Sequence, residues 1–367
     1  MGNLTLNGST SGQVTIAAPA VAGTNTITLP AGTGQATVYD TSTSSTGYIQ
    51  MPSGTTAQRP GSPVNGMVRY NTSLNKLEAY QNNEWVIYSI TYSIDYLVVG
   101  GGASGSRTPN TSSAGGGGAG GYIAGSSSTA TGVQNTIVIG AGGAGYQSPL
   151  DGGGNNGSST TALGLTAVGG GTGGWYNATE GYQNARSGGS GGGASWNGSN
   201  ATTPGSGTSG QGNAGGNGSP DGTSCGGGGG GSGAVGGNAP SNLLGGTGGT
   251  GTNWQSLGTY YAAGGGGGSS GSGTARAAGG TGGGGAGGYG TTTANISGVD
   301  ATVNTGSGGG GTGGTGTGTT GTRPSGAGGS GIVIIRYTGA QKGSGGTVTS
   351  AGGYTYHTFT SSGTFLG

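Results

Sequence analysis

Apolar side chains along this chain fall on alternate positions, and none recur at helical spacing. In residues 1–45, Leu4 and Leu6, Val14 and Ile16, and Ile27 and Leu29 mark three short segments separated by Gly, Pro, Asn and Ser. A period of two flanked by turn formers predicts half-buried β-strands. Strands are predicted in the same way at 67–70 (MVRY), 76–80 (KLEAY) and 84–89 (EWVIYS), with polar turns at 71–75 and 81–83, which makes a β-meander. So short a module buries too little to be stable alone, so a trimer sharing one core is predicted for residues 46–92. Beyond them, strong strands open and close a long segment, at 92–100 (YSIDYLVVG) and 331–337 (GIVIIRY). Tyr96, Val98, Ile332 and Ile334 read as framework. Weaker strands are predicted at 121–125, 135–140 and 162–168, and a last one at 354–359 (YTYHTF). The expected fold class is all-β, essentially without α-helix.

Composition changes what fills the space between those strands. Glycine supplies 105 of 367 residues, about four times its usual ~7% share. Only 10 of these glycines lie in residues 1–92. Runs at Gly115–Gly118, Gly226–Gly231, Gly264–Gly268 and Gly282–Gly285 punctuate the rest. High glycine and serine content without a period is the composition of a flexible linker. The strong flanking strands, and three of the chain's four Trp within this segment, argue for order. Extended glycine segments of polyproline II type keep their N–H groups and can bond laterally, backbone to backbone. Such polyglycine II-like helices are the expected interior; a strict Gly every third residue is absent, which excludes collagen. The chain thus divides into four parts: a β attachment or shaft segment (1–45), a trimerisation meander (46–92), a glycine-rich distal domain (93–338) and a C-terminal β tail (339–367).

Charge narrows the function. Lys and Arg number 9 and Asp and Glu 8, so no basic surface exists for a phosphate backbone, and no basic amphipathic stretch for a membrane. One cysteine, Cys225, and one histidine, His357, leave no intrachain disulfide and no Cys/His metal site. Gly100, Gly102 and Gly105 match G-x-G-x-x-G after a strand, but the adjoining SRTPNTSSAGGGG is no helix. No dinucleotide or other cofactor is expected. His357 sits in a strand of alternating aromatics, and nothing in the spacing of Glu180 and Asp221 favours a sugar-cleaving carboxylate pair. An enzyme is not expected. The first residues have neither a basic start nor an apolar core, so no signal peptide is expected.

The candidate binding residues are aromatics and arginines inserted among the glycines: Trp175, Tyr176, Tyr182, Arg186, Trp196, Trp254, Tyr260, Tyr261 and Arg276. Trp, Tyr and Arg are the usual anchors of recognition surfaces, and Tyr beside Ser, Gly and Asn is the composition of antibody loops. Equally, they could cap and cover the ends of a glycine lattice.

Residues 53–88 closely resemble a module of tail fibre proteins from marine and cyanobacterial phages, through Arg59, Pro60, Gly66, Arg69, Tyr70, Asn71, Glu78, Ala79, Tyr80 and Trp85. Residues 7–34 resemble a repeat-like phage segment. The pair DYLVVGGGASG (95–105) and GGSGIVIIRYTG (328–339) resembles the two borders of a phage glycine-rich domain. The interior is similar to the polyglycine adhesins at the tips of T-even-like long tail fibres. The chain departs from these in its Tyr- and Trp-bearing insertions and in the tail after the closing strand. The resemblance implies a homotrimeric virion protein, outside the cell after host lysis, joined to other tail or baseplate proteins by its N-terminus. Its loops would bind a bacterial surface glycan or outer-membrane protein. The alternative is a purely structural fibre or collar segment.

Overall fold

The computed structural model describes residues 3–7, 13–17, 51–108, 112–147, 152–177, 181–196, 202–219, 224–240, 243–270, 275–290, 295–314 and 323–367. The chain divides into two compact units, Met1–Tyr88 and Ser89–Gly367. Among the described residues there is no α-helix, only two single 3-10 turns, so the all-β expectation holds.

In the first unit, β1 (Asn3–Asn7) and β2 (Gln13–Ala17) form an antiparallel pair. The strand predicted around Ile27 and Leu29 lies outside the described residues. A four-stranded sheet comes next, in the order β3 (Ser53–Gly54), β4 (Val68–Asn71), β5 (Lys76–Gln81), β6 (Glu84–Ile87). The turn from β5 to β6 is Asn82-Asn83, both left-handed at φ 51° and 64°, the type I′ geometry that matches strand twist.

The polarity of this sheet is inverted. Alternation and register place Val68, Tyr70, Leu77, Ala79 and Val86 on one face and Arg69, Asn71 and Glu78 on the other. The polar face is the buried one. Glu78 is fully buried and meets Arg59 Nη2 at 2.6 Å and Arg69 Nε at 3.5 Å. Asn71 Nδ2 donates to the same carboxylate at 2.9 Å. Arg69 also donates to the carbonyls of Gln58 (2.7 Å) and Thr55 (3.0 Å), pinning the segment that crosses this face. Arg59 lies 5.5 Å from the Trp85 ring, which packs 5.4 Å from Tyr80. Arg59, Arg69, Asn71, Glu78, Tyr80 and Trp85 are thus one ion network and its aromatic cover. The Arg59 hydrogen bond holds the Glu78 carboxyl below its ordinary pKa. The apolar face carries Val68, Tyr70 and Leu77 in the open, and Ala79 is the one buried apolar residue among those described in this unit.

The second unit is framed by a five-stranded antiparallel sheet. Its first members are β7 (Thr91–Val99) and β8 (Tyr122–Ala130). β8 runs beyond the predicted 121–125 because it pairs with β7 along its full length. Next come β9 (Gln134–Ile137), then β10 (Thr160–Ala162) and β11 (Leu165–Ala167). Where the alternation predicts a single strand at 162–168, Leu163 and Gly164 are both left-handed (φ 54° and 75°) and fold the segment into a hairpin. Three further ribbons pair β12 (Trp175–Asn177) with β13 (Gly181–Gln183), β14 (Thr252–Asn253) with β15 (Tyr260–Tyr261), and β16 (Tyr289–Gly290) with β17 (Asn295–Ile296). The chain closes with β18 (Ile332–Thr338), β19 (Thr347–Ala351), β20 (Tyr354–Phe359) and β21 (Gly363–Leu366). Sheet order is β19-β20-β18-β7-β8, and β21 pairs with β9. One face packs Ile94, Val98, Val333, Ile335, Tyr337 and Phe359 against Ile137, Ala162, Ala167 and Phe365. The other packs Leu97, Val99, Ile332 and Ile334 against Ala119, Trp254 and Ala262.

Between these strands the described residues form a lattice of extended glycine segments, and its hydrogen bonds show a period of three. In 114–121, the amides of Ala114, Gly117 and Gly120 donate to Thr312, Gly309 and Gly306. Those of Gly115, Gly118 and Gly121 donate to Gly174, Gly171 and Val168, and those of Gly116 and Ala119 to Gly227 and Gly230. The descending numbers mark antiparallel neighbours and the ascending pair a parallel one. The carbonyls accept from three other segments, through Gly265 and Gly268, Ser190 and Gly193, and Gly100, Ala103 and Ser106. Each segment at the centre is therefore a threefold helix bonded to a ring of neighbours, as expected for polyglycine II. The run Gly226–Gly231 repeats the pattern: Gly226 and Gly229 donate to Gly268 and Gly265, Gly227 and Gly230 to Ala194 and Gly191, and Gly228 and Gly231 to Gly237 and Ala234. Gly282 and Gly283 depart from it, turning with φ 117° and 98°.

With neighbours on every side, the glycine positions of a central helix leave no room for a side chain. A Cβ on Gly229 would overlap the Gly117 carbonyl. Gly229→Ala is therefore expected to cost at least ~3 kcal/mol in denaturant unfolding. Gly61→Ala, where an added Cβ meets nothing within 4 Å, should stay within ~0.5 kcal/mol of wild type.

Candidate functional site

The lattice segments run up and down, and the described residues at one end bond to one another. Arg107 bridges Gly152, Ser113 bridges Trp196, Ser269 bridges Tyr289 and Ser270 bridges Gly314. Ser270 N donates to Leu243 O at 3.1 Å and Ser219 N to Cys225 O at 3.0 Å. The described residues that flank 109–111, 148–151, 178–180, 197–201, 220–223, 241–242, 271–274, 291–294 and 315–322 stand at this end. Those nine segments, with Glu180 and Asp221 among them, lie outside the described residues. The opposite end abuts the sheet: Gly100 follows β7, Gly121 precedes β8, and Gly100 N donates to Gly121 O at 2.9 Å.

The structure divides the candidate binding residues between these two ends. Trp175, Tyr176 and Trp196 stand at the turn end. Trp175 is buried, packed on Gly153, where a Cβ would lie 2.6 Å from its ring. The exposed Arg186 sits 5.7 Å from that ring. Tyr176 pairs with Tyr182 across the β12–β13 ribbon, and of Tyr182 only the backbone is described. Trp196 is half-buried. Arg276 donates to the carbonyls of Gly287 (3.0 Å) and Ser297 (2.7 Å) and lies 5.8 Å from the Tyr289 ring. These residues tie the lattice end together, with Arg186 open to solvent.

Trp254, Tyr260 and Tyr261 stand at the sheet end, in the β14–β15 ribbon. Trp254 is 3% exposed and Tyr260 39%. The turn between them contains Gln255 and Ser256, both left-handed at φ 54° and 55°. Beside Trp254 lies Arg336, which sequence reasoning missed. Its guanidinium is 5.3 Å from the Trp254 ring and 4.3 Å from the Tyr354 ring. Its Nε donates to Asp95 Oδ2 at 3.0 Å, and Ser126 Oγ donates to Asp95 Oδ1 at 2.7 Å. Burial opposes the Arg336 charge, but hydrogen bonds to Tyr356 and Asp95 outweigh it and its pKa is raised. The signal lay in the alternation: Ile332 and Ile334 share a face with position 336, where an arginine interrupts an apolar series. A cleft of about 150 Å3 opens here, between Trp254, Leu257, Tyr261, Ile334, Tyr356 and Thr358.

His357 is fully buried. Its Nε2 lies 2.8 Å from Tyr337 Oη and its Nδ1 2.8 Å from Gly345 O. The carbonyl can only accept, so Nδ1 carries the proton and Nε2 accepts from the phenol. Tyr337 Oη in turn accepts from the amides of Lys342 (2.9 Å) and Gly343 (3.0 Å).

A family described as a glycine-rich domain matches residues 75–338. No curated protein and no solved structure matches the chain.

The aromatics around Trp254 make a prediction about alkaline pH. Burial, reinforced by Tyr261, pushes the Tyr122 phenol from 10.0 up to about 12. Burial, reinforced by Tyr337, does the same for Tyr92. A phenol whose pKa rises on folding stabilises the fold fully below its unfolded value, and that contribution is lost as pH rises through its folded value. The unfolding midpoint is expected to fall between pH 10 and 12, and Tyr122→Phe to make that fall shallower in a thermal melt series.

Proposed function

We infer that the chain, which belongs to the glycine-rich domain family, serves as the host-binding part of a bacteriophage tail fibre. The observation that carries this reading is a lattice bonded through its backbone, at one end of which stand the described residues flanking nine short segments of the chain. Flanks fixed in this way lower the cost of presenting those segments to a receptor. Their residues are mostly Gly, Ser, Thr, Asn and Asp, the adaptable polar set of recognition loops. Arg186 and the half-buried Trp196 flank them and supply anchoring contacts. The ligand is a bacterial surface glycan or outer-membrane protein.

The mechanism is adhesion without chemistry. The chain's single histidine has both ring nitrogens engaged in buried hydrogen bonds, which supports a non-enzymatic role. Residues 1–92 connect the protein to other tail or baseplate components and assemble it as a homotrimer. The outward apolar face of the β3–β6 sheet supports that assembly, since three copies could bury Val68, Tyr70 and Leu77 together. Trimerisation multiplies weak contacts into strong attachment. The protein acts on the virion, outside the cell after host lysis.

Two measurements test this. Purified full-length protein is expected to bind cells of the infected bacterium and to block virion adsorption. Replacing 197–201 and 315–322 with Gly-Ala sequence of equal length should reduce blocking at least about tenfold. A folded wild type that leaves adsorption untouched would put a purely structural fibre or collar segment in its place. By light scattering, the wild type should run as a trimer, and Val68→Asp with Leu77→Asp should run as a monomer. A monomeric wild type would remove the assembly claim.

A further inference from the structure

We propose that the cleft beside Trp254 is a second binding site, for one neutral sugar ring. It lies at the sheet end of the lattice and does not depend on the adhesion reading. Its volume is about 150 Å3. A cavity of that order admits one six-membered ring, whereas drug-sized ligands need ~300–1,000 Å3. Its walls are aromatic and aliphatic, from Trp254, Tyr261, Tyr356, Ile334 and Leu257, with threonine hydroxyls from Thr349 and Thr358. An apolar ring face against aromatics, with hydroxyls at the edge, is the pairing these walls offer.

Two observations point to an occupant carrying hydrogen-bond acceptors. The first is the Trp254 indole N–H, which is buried and has no acceptor. Leaving a buried donor unpaired costs ~1–3 kcal/mol, and each such group requires an explanation. The second is the turn just after it. Gln255 and Ser256 are consecutive non-glycine residues at φ 54° and 55°, a conformation that costs of order 1–3 kcal/mol per residue. That turn carries Leu257, which is 51% exposed, over the cleft. A small outward shift of the 254–257 turn brings the N–H within reach of a sugar hydroxyl and eases the strained pair. The ligand is neutral because no lining residue is charged and the nearby Arg336 is already paired with Asp95.

The test is a titration of the full-length protein with glucose, galactose and N-acetylglucosamine, read by saturation-transfer NMR. At least one sugar is expected to bind saturably in the millimolar range. Trp254→Phe keeps a ring but deletes the donor and should weaken binding about tenfold, the worth of one hydrogen bond. Should that variant misfold, Leu257→Trp at the exposed lip fills the cleft and should abolish binding with the fold intact. No saturable binding by any of the three sugars, or binding unchanged in Leu257→Trp, overturns the proposal. Binding to host cells should be the same in Leu257→Trp as in wild type, so failure of this site and failure of the adhesion reading are told apart.

Discussion

In the glycine-rich unit, a neighbour's carbonyl oxygen occupies the space where a β-carbon would stand. That approach lets the Gly117 carbonyl accept the Gly265 amide while the Gly117 amide donates to the Gly309 carbonyl, and the same geometry is repeated through the interior. Backbone polar groups are normally paired within one strand ladder or one helix. Here each central segment distributes its donors among three neighbours and its acceptors among three others. The interior is held by hydrogen bonds where most proteins bury side chains. Each is worth only ~0.5–1.5 kcal/mol net, against glycine's large loss of backbone freedom. Such a lattice needs an external frame to start from. The β7–β18–β8 sheet supplies it, since Gly100 continues from β7, Gly121 leads into β8, and Gly331 leads into β18.

The two units solve the same problem in opposite ways. The second keeps an apolar sheet at one end and a polar backbone lattice at the other. The first buries charge: Glu78 lies between Arg59 and Arg69 with Asn71 completing its contacts. A buried ion network is a weak source of stability but a strict geometric requirement, because losing one partner strands the others. That explains why Arg59, Arg69, Asn71 and Glu78 stand together on one face of this sheet. They define where the segment 55–59 crosses the sheet, and they leave the apolar face free.

Much of the frame was legible in the sequence. Val98, Ile332 and Ile334 lie in the opening and closing strands predicted for them, and the strand predicted at 354–359 is present. The Leu163-Gly164 turn was not legible, because a leucine with positive φ carries no local signature. Nor could the sequence say which glycine segments are neighbours. Every glycine is alike, so pairings such as Gly116 with Gly227 have no side-chain code. For the binding residues, the composition argument found the right residue types but could not sort packing from exposure. Trp175 and Trp254 are buried while Arg186 is open, a difference set by what packs against each. Arg336 and Tyr356 belong to the Trp254 cleft only because β18 and β20 are paired, with Arg336 opposite Tyr356.

The threefold repeat of donors has a consequence for how such a chain can change length. Adding three residues to a glycine segment adds a full helical turn and returns every amide to the neighbour it faced before. Adding one or two rotates every later residue, so that Gly117, for instance, would point at the segment meant for Gly118 or Gly116. The lattice therefore behaves like a ruler graduated in triplets. Its segments can lengthen or shorten only in those steps without breaking the bonding pattern.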